Sequence, residues 1–379
     1  MSKSKSKSIE LPTLPSDLEL LAELAPFDGS TSLALASRIM LAKHTHKLYK
    51  YLPDVLSGDD PHAVHQMRVA TRRLRASLQS TAIAYKSKPV DALHKSLRRL
   101  TRALGAVRDL DVLLMRLRED VQQLGSDRSV VEQRIDQLQV ERDAAHNKLA
   151  AELRTKRTAR MLAQLNDFLL CQLDEIQAPA ELPLLVRHHA GSAIWRELEA
   201  VQRFETVMPH GSSEQLHELR ISCKHLRYTL ELFEPALGEN AHELIKQVEA
   251  IQEHLGQIHD ADVALAYFGV DVHAEQENQP DPADESQHSQ AASDQAPVAS
   301  DDSESNGSDS EAATTESNGS DPEAAAAESE EQAQTVSDQP YTAIRLAERA
   351  RLRQEFAPMW QEFNTRETRR RLGKVIARL

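Results

Sequence analysis

Aromatic residues make up only 4% of the 379 residues, glycine occurs 12 times and cysteine twice. Few aromatics leave little for base stacking, and the first strongly basic stretch has none before Tyr85. Scarce glycine beside abundant Leu, Ala, Arg, Glu and Gln predicts an all-α protein. Cys171 and Cys223 cannot build a disulfide framework, which points to a reducing, cytoplasmic setting. No run of 18 apolar residues occurs, so no membrane span is expected. The segment Met1–Ser8 alternates Ser and Lys and lacks the apolar core of a signal peptide. There is no phosphate-cradling G-x-x-x-x-G-K-[ST] loop and no nucleophile beside an evident base. These absences argue against an enzyme.

The net charge of −14 conceals a basic protein. Residues 271–340 hold 19 Asp plus Glu and no Lys or Arg, leaving 40 acidic against 45 basic residues elsewhere. A mildly basic folded part with charge gathered on particular faces suits a polyanionic ligand. Within the acidic stretch Asn306-Gly307-Ser308-Asp309 returns as Asn318-Gly319-Ser320-Asp321. Poor in aromatic and branched apolar residues, 271–339 cannot repay its ordering entropy and reads as a disordered acidic insertion. It serves either as a solvated spacer or as a polyanion mimic that competes for the basic faces.

Those faces are built twice. On a helix, His65, Arg68, Arg72 and Arg75 fall within an arc of about 80°. Met67, Leu74 and Leu78 form the apolar stripe on the other side. The same arc recurs 152 residues later in His217, Arg220, Lys224 and Arg227, with Leu219, Leu226 and Leu230 as its stripe. A second landmark, Leu104-Gly105-Ala106-Val107-Arg108-Asp109-Leu110-Asp111, returns as Leu255-Gly256-Gln257-Ile258-His259-Asp260-Ala261-Asp262, offset by 151. An internal duplication of this length means two similar helical units.

Prolines and caps punctuate the chain. Residues 1–29 read as an irregular, basic N-terminal tail. A first helix is expected from about Ser32 to Tyr51, stopped by Pro53. Asp60 and Pro61 mark the N-cap and first turn of the basic helix, which should run to about Tyr85. Pro89 separates it from a helix over Val90–Leu104 whose Lys95, Arg98 and Arg102 make a further cationic face. Long polar helices follow over 129–177, and Pro179 and Pro183 divide a unit at 30–180 from one at 181–379. In the second unit Lys246 matches Lys95, but Glu249 and Glu253 replace Arg98 and Arg102. A helix over Tyr341–Phe363 and a basic tail through Arg366, Arg369, Arg370, Arg371, Lys374 and Arg378 close the chain.

Several residues invite sharper readings. His62 and His65 at i, i+3 could hold a metal, but position 214, the counterpart of His62, is Glu and no third ligand follows. No metal and no cofactor is expected. His259-Asp260 resembles a phosphohydrolase doublet, yet its counterpart is Arg108-Asp109, which favours a structural or phosphate-facing role. Asp109, Asp111, Asp260 and Asp262 either bind Mg²⁺ or, as favoured, anchor Arg side chains or cap helices. Arg102 to Asp109 and Arg108 to Asp111 lie within helical reach. Cys223 aligns with Thr71 and reads as a small buried residue.

The pattern His65-x-x-Arg68-Val69-x-x-Arg72-Arg73-Leu74-Arg75, its echo at 217–227 and the two Leu-Gly-x-x-Arg/His-Asp-x-Asp sequels resemble the CHAD domain, the conserved histidine α-helical domain. The resemblance covers about residues 30–270 and 340–365. It implies two four-helix bundles related by pseudo-two-fold symmetry, with a basic groove or pore between them that binds inorganic polyphosphate, and association with polyphosphate granules. Carried over by position, the binding set is His65, Arg68, Arg72, Arg73 and Arg75 with His217, Arg220, Lys224, His225 and Arg227. Lys95, Arg98, Arg102, Arg108, Lys246 and His259 stand around it. No Glu-x-Glu-x-Lys, the signature of triphosphate-tunnel enzymes often fused to such domains, is present. The alternatives are a nucleic-acid or general polyanion binder, which the few aromatics disfavour, and a metal-dependent polyphosphate-processing enzyme.

Overall fold

A computed structural model describes residues 11–24, 26–123, 128–178, 183–270 and 340–379. The acidic stretch 271–339 and the first ten residues lie outside the described residues. The described chain is all-α: α1 (Ser16–Ala22), α2 (Leu33–Ser57), α3 (Pro61–Ser80), α4 (Ser87–Asp120), α5 (Arg128–Leu153), α6 (Lys156–Leu170), α7 (Leu173–Ile176), α8 (Val186–Gln202), α9 (Ser213–Leu237), α10 (Glu239–Tyr267), α11 (Pro340–Phe363) and α12 (Arg366–Ile376). Helices α2 to α5 pack on one another in succession, and so do α8 to α11. The two sets meet chiefly where α3 lies against α9.

The caps are those the sequence spells. Asp60 accepts the His62 amide at 2.8 Å with Pro61 at the first helical position, and Ser212 and Gln215 form a reciprocal capping box. Below each basic face runs the expected stripe: Met67, Leu74 and Leu78 in α3, and Leu219, Leu226 and Leu230 in α9, are all essentially sealed from solvent. Cys223 is buried as expected, and burial pushes its thiol up to about 12.

Four expectations need correction. Residues 16–22 are a helix whose Leu18 is fully buried, because the Pro15-Ser16-Asp17 start is followed by an apolar face that docks on α2. Pro53 does not stop α2. It sits in the last turn and costs one hydrogen bond, while Gly58 at φ +83° ends the helix. The helix carrying Lys95 does not end at Leu104 but continues through Gly105 to Asp120, held by a buried stripe that runs on through Val107, Leu113, Leu114 and Leu117. The basic C-terminal stretch is helix α12, capped by Thr365 and seated by buried Leu372 and Val375.

Candidate functional site

The site begins with the ends of the basic helices. Arg142 of α5 reaches the Asp111 carboxylate of α4 at 2.9 Å and the Gly58 carbonyl just before α3. Arg349 of α11 reaches Asp262 of α10 at 2.6 Å and the Ser213 hydroxyl at the start of α9 at 3.0 Å. Arg353 adds a bond to the Gly211 carbonyl. Asp111 and Asp262 are the repeat's equivalent aspartates, so in each set a buried Arg–Asp pair ties the fourth helix to the third and to the lead-in of the basic helix. The carboxylates thus anchor arginines, as the sequence favoured, but across helices. Arg102 and Arg108 do not take the roles that spacing within one helix offered them.

With the helix ends fixed, α3, α4, α9 and α10 bring their polar faces together. The Arg68 guanidinium lies 3.6 Å from the Asp109 carboxylate and over Gly105, whose missing Cβ would stand 3.5 Å from the Arg68 Nε. A Cβ here would make only ordinary van der Waals contact with the arginine, so this packing does not require the glycine of the first Leu-Gly motif. Arg72 and Arg220, from different sets, are near enough for their charges to repel, and Arg220 also feels Asp260 and Asp109. Asp260 in turn feels Arg220, Arg116 and Arg108. The rings of His217 and His259 lie 4.8 Å apart between centroids, tilted at 49° to one another. His65, Arg68, Arg72, Arg108, His217, Arg220 and His259 therefore form one cluster drawn from both sets.

The cluster is positive and partly dry. Burial, then Arg72, lowers the affinity of the Arg68 and Arg220 guanidiniums for their protons, and the neighbouring aspartates oppose this. Burial, then Arg108, lowers the pKa of His65, and burial, then Arg220, lowers that of His217. Burial, Arg220 and His217 hold His259 down to about 3. All three imidazoles are thus neutral near pH 7. The Nε atoms of Arg68 and Arg220 and the Nδ1 of His217 are buried and find no hydrogen-bond partner among the described residues. Unmet buried donors within a cluster of cations are chemically suited to anion oxygens.

The other expected residues are placed differently. Arg73 turns away from the cluster and binds Glu231 of α9 at 2.9 Å. Arg227 bonds to Glu249 at 2.8 Å and approaches Glu231 at 3.7 Å. Both arginines serve the seam between the sets, Arg73 directly and Arg227 through the carboxylate it shares with Arg73. Arg75 and Lys224 are half-buried on the basic helices, Lys224 close enough to His217 to depress its pKa, and His225 is exposed. Lys95 and Lys246 are exposed, and Arg98 is half-buried. Arg102 lines a groove between α4 and α5 with Glu141 and Glu152. Arg108 also borders a cavity of about 560 Å³ with Arg118 and Arg142. Two contributors had not been singled out from sequence. Arg116 pairs with Glu348 at 2.7 Å and reaches toward Asp260, and buried Tyr228 interacts with both Arg68 and Arg220. Tyr228 has Ala76 as its counterpart, so the repeat could not flag it.

Fold and site together define an all-helical module whose two helix sets share one cationic cluster. The CHAD domain family model matches residues 39–268, and the chain belongs to this family. A crystal structure of the CHAD domain from the plant Ricinus communis is similar at a TM-score of 0.55 and 26% identity, covering 67% of this chain and 83% of that one. PptA from Streptomyces chartreusis shares the fold at a TM-score of 0.51 and 15% identity, covering 67% and 89%. Two uncharacterized Mycobacterium tuberculosis proteins, from two strains, are 27% identical over 213 residues, or 54% of this chain. The match takes in 40% of the length of those curated relatives.

Proposed function

We propose that this chain binds inorganic polyphosphate at the shared cationic cluster and does not cleave it, and that this binding brings it to polyphosphate granules in the cytoplasm. The observation that carries the reading is the convergence of Arg68, Arg72, Arg108 and Arg220 with buried, unpartnered guanidinium donors at its centre. Polyphosphate offers one negative charge per unit and no bases. Arginine forks match its oxygens, and neutral histidines can donate or gain a proton beside them. Family membership agrees with this ligand class.

The test is a salt-titrated binding assay with long-chain polyphosphate and length-matched single-stranded DNA, with released phosphate followed with and without Mg²⁺. Polyphosphate should bind more tightly than DNA, with no phosphate released. Arg68→Ala/Arg220→Ala should weaken binding at least about a hundredfold, since each charge-assisted contact contributes roughly 1.5–3 kcal/mol. Equal affinity for DNA would make the chain a general polyanion binder. Mg²⁺-dependent release would make it an enzyme.

A further inference from the structure

A second cavity, of about 710 Å³, lies between α2 and α3 of one set and α9 and α10 of the other, with the end of α1 and the seam residues Arg73 and Tyr228 in its lining. Its α2 wall presents Lys43, Lys47 and Lys50 at i, i+4 and i+7, one cationic face. The other lining carboxylates are Glu231, which pairs with Arg73, Glu249, which pairs with Arg227, Glu234, which meets the His242 ring at 3.2 Å, and Glu23. No ion pair engages the three lysines among the described residues, and they outnumber Glu23 and Glu234, the lining carboxylates with no Lys or Arg paired to them. Met40, Leu232 and Ile245 give it an apolar floor.

One buried group points to a ligand. His44 lines the cavity at 8% exposure, and its Nδ1 has no hydrogen-bond partner among the described residues. Burial, then Arg73, Lys47 and Lys43, holds His44 down to about 3, so it is a neutral imidazole beside three cations. A buried ring nitrogen left unmatched costs free energy that a bound partner would recover.

We propose that this cavity is a second ligand site, distinct from the cationic cluster, for a small organic anion: a phosphate, sulfonate or carboxylate held by Lys43 and Lys47, with an apolar body on Met40, Leu232 and Ile245. Inorganic polyphosphate lacks that body, so the two sites differ in chemistry. The proposal does not depend on what occupies the cluster.

The probe is 8-anilinonaphthalene-1-sulfonate, titrated by fluorescence into the full chain, into Lys43→Gln/Lys47→Gln and into Arg68→Ala/Arg220→Ala. Pyrophosphate serves as competitor, circular dichroism checks folding, and polyphosphate binding is measured on the same preparations. One saturable site is expected, about tenfold weaker in the lysine variant and within about twofold of the parent in the arginine variant. Pyrophosphate should compete poorly, because it gains nothing from the apolar floor. Equal dye binding in all three proteins, or loss confined to the arginine variant, would overturn the site. Pyrophosphate competing as tightly as the dye binds would overturn the requirement for an apolar body. A single Lys47→Glu change at this exposed position gives the same readout if the double variant misfolds.

Discussion

Polyphosphate binding should take up protons, and its affinity should rise as pH falls from 8 to 6. In the free protein His65 and His217 are neutral because burial and the neighbouring arginines lower their pKa values. A phosphate charge at about 4 Å, at an effective dielectric of about 20, favours the imidazolium by about 4 kcal/mol, equivalent to about three pKa units. That opposes the lowering by burial and the arginines and drives both groups toward the imidazolium. His259 starts at about 3 and should stay neutral, donating a hydrogen bond instead. The uptake is therefore up to about two protons, and each proton steepens affinity by up to tenfold per pH unit. Calorimetry at pH 8, 7 and 6 in buffers of different ionisation enthalpy counts the protons directly. Long chains keep the polymer's own titrating ends dilute. His65→Gln/His217→Gln should abolish the slope while leaving binding at pH 8 within a few-fold. Affinity that is flat or falling as pH drops would refute both the placement of the imidazoles beside the anion and the proposed ligand pose.

Four further outcomes follow from the geometry. His44, neutral and buried, stabilises the fold above the unfolded-state pKa of 6.5 and loses that contribution as pH falls toward about 3. By pH 5 the loss should reach up to about 2 kcal/mol, read from urea melts as a drop that His44→Gln shrinks. Arg142→Met leaves the Asp111 carboxylate buried and unpaired, so denaturation should show a loss of about 3–5 kcal/mol, largely recovered in Asp111→Leu/Arg142→Leu. Gly105→Ala meets only ordinary contact with Arg68 and should stabilise α4 by up to about 1 kcal/mol with polyphosphate affinity unchanged. Arg73→Met should lower stability by about 1–3 kcal/mol but change polyphosphate affinity less than about threefold, because its guanidinium is committed to Glu231.

Much of this was legible in the chain. The 3.6-residue spacing that put His65, Arg68 and Arg72 on one face, with Met67 and Leu74 opposite, depends only on local geometry, and the structure keeps it. The doubled Leu-Gly motif marked the helices that complete the site. What the chain could not show were commitments between distant residues. Arg73 looks like its neighbours until Glu231, 158 positions away, arrives beside it. Asp109 had Arg102 two turns back and Asp111 had Arg108 one turn back, yet tertiary packing delivered Arg68 and Arg142 instead. Pro53 and Gly105 read as breaks because propensity is a weak prior, and packed leucines override it. The alignment of Asp111 with Asp262 was the one signal that could have exposed the paired braces.

The cluster sits where the two helix sets join, with Arg72 contributed by one and Arg220 by the other. Like charges held together at a joint act as a compressed spring. The Arg73–Glu231 pair across the α3–α9 seam helps keep it closed at some cost to the free protein, and an anion would discharge it. A ligand there is a clasp as well as a cargo, and it belongs to neither set alone. Thermal protection should accordingly exceed what the same anion gives at an ordinary surface patch, and separated halves should lose it altogether.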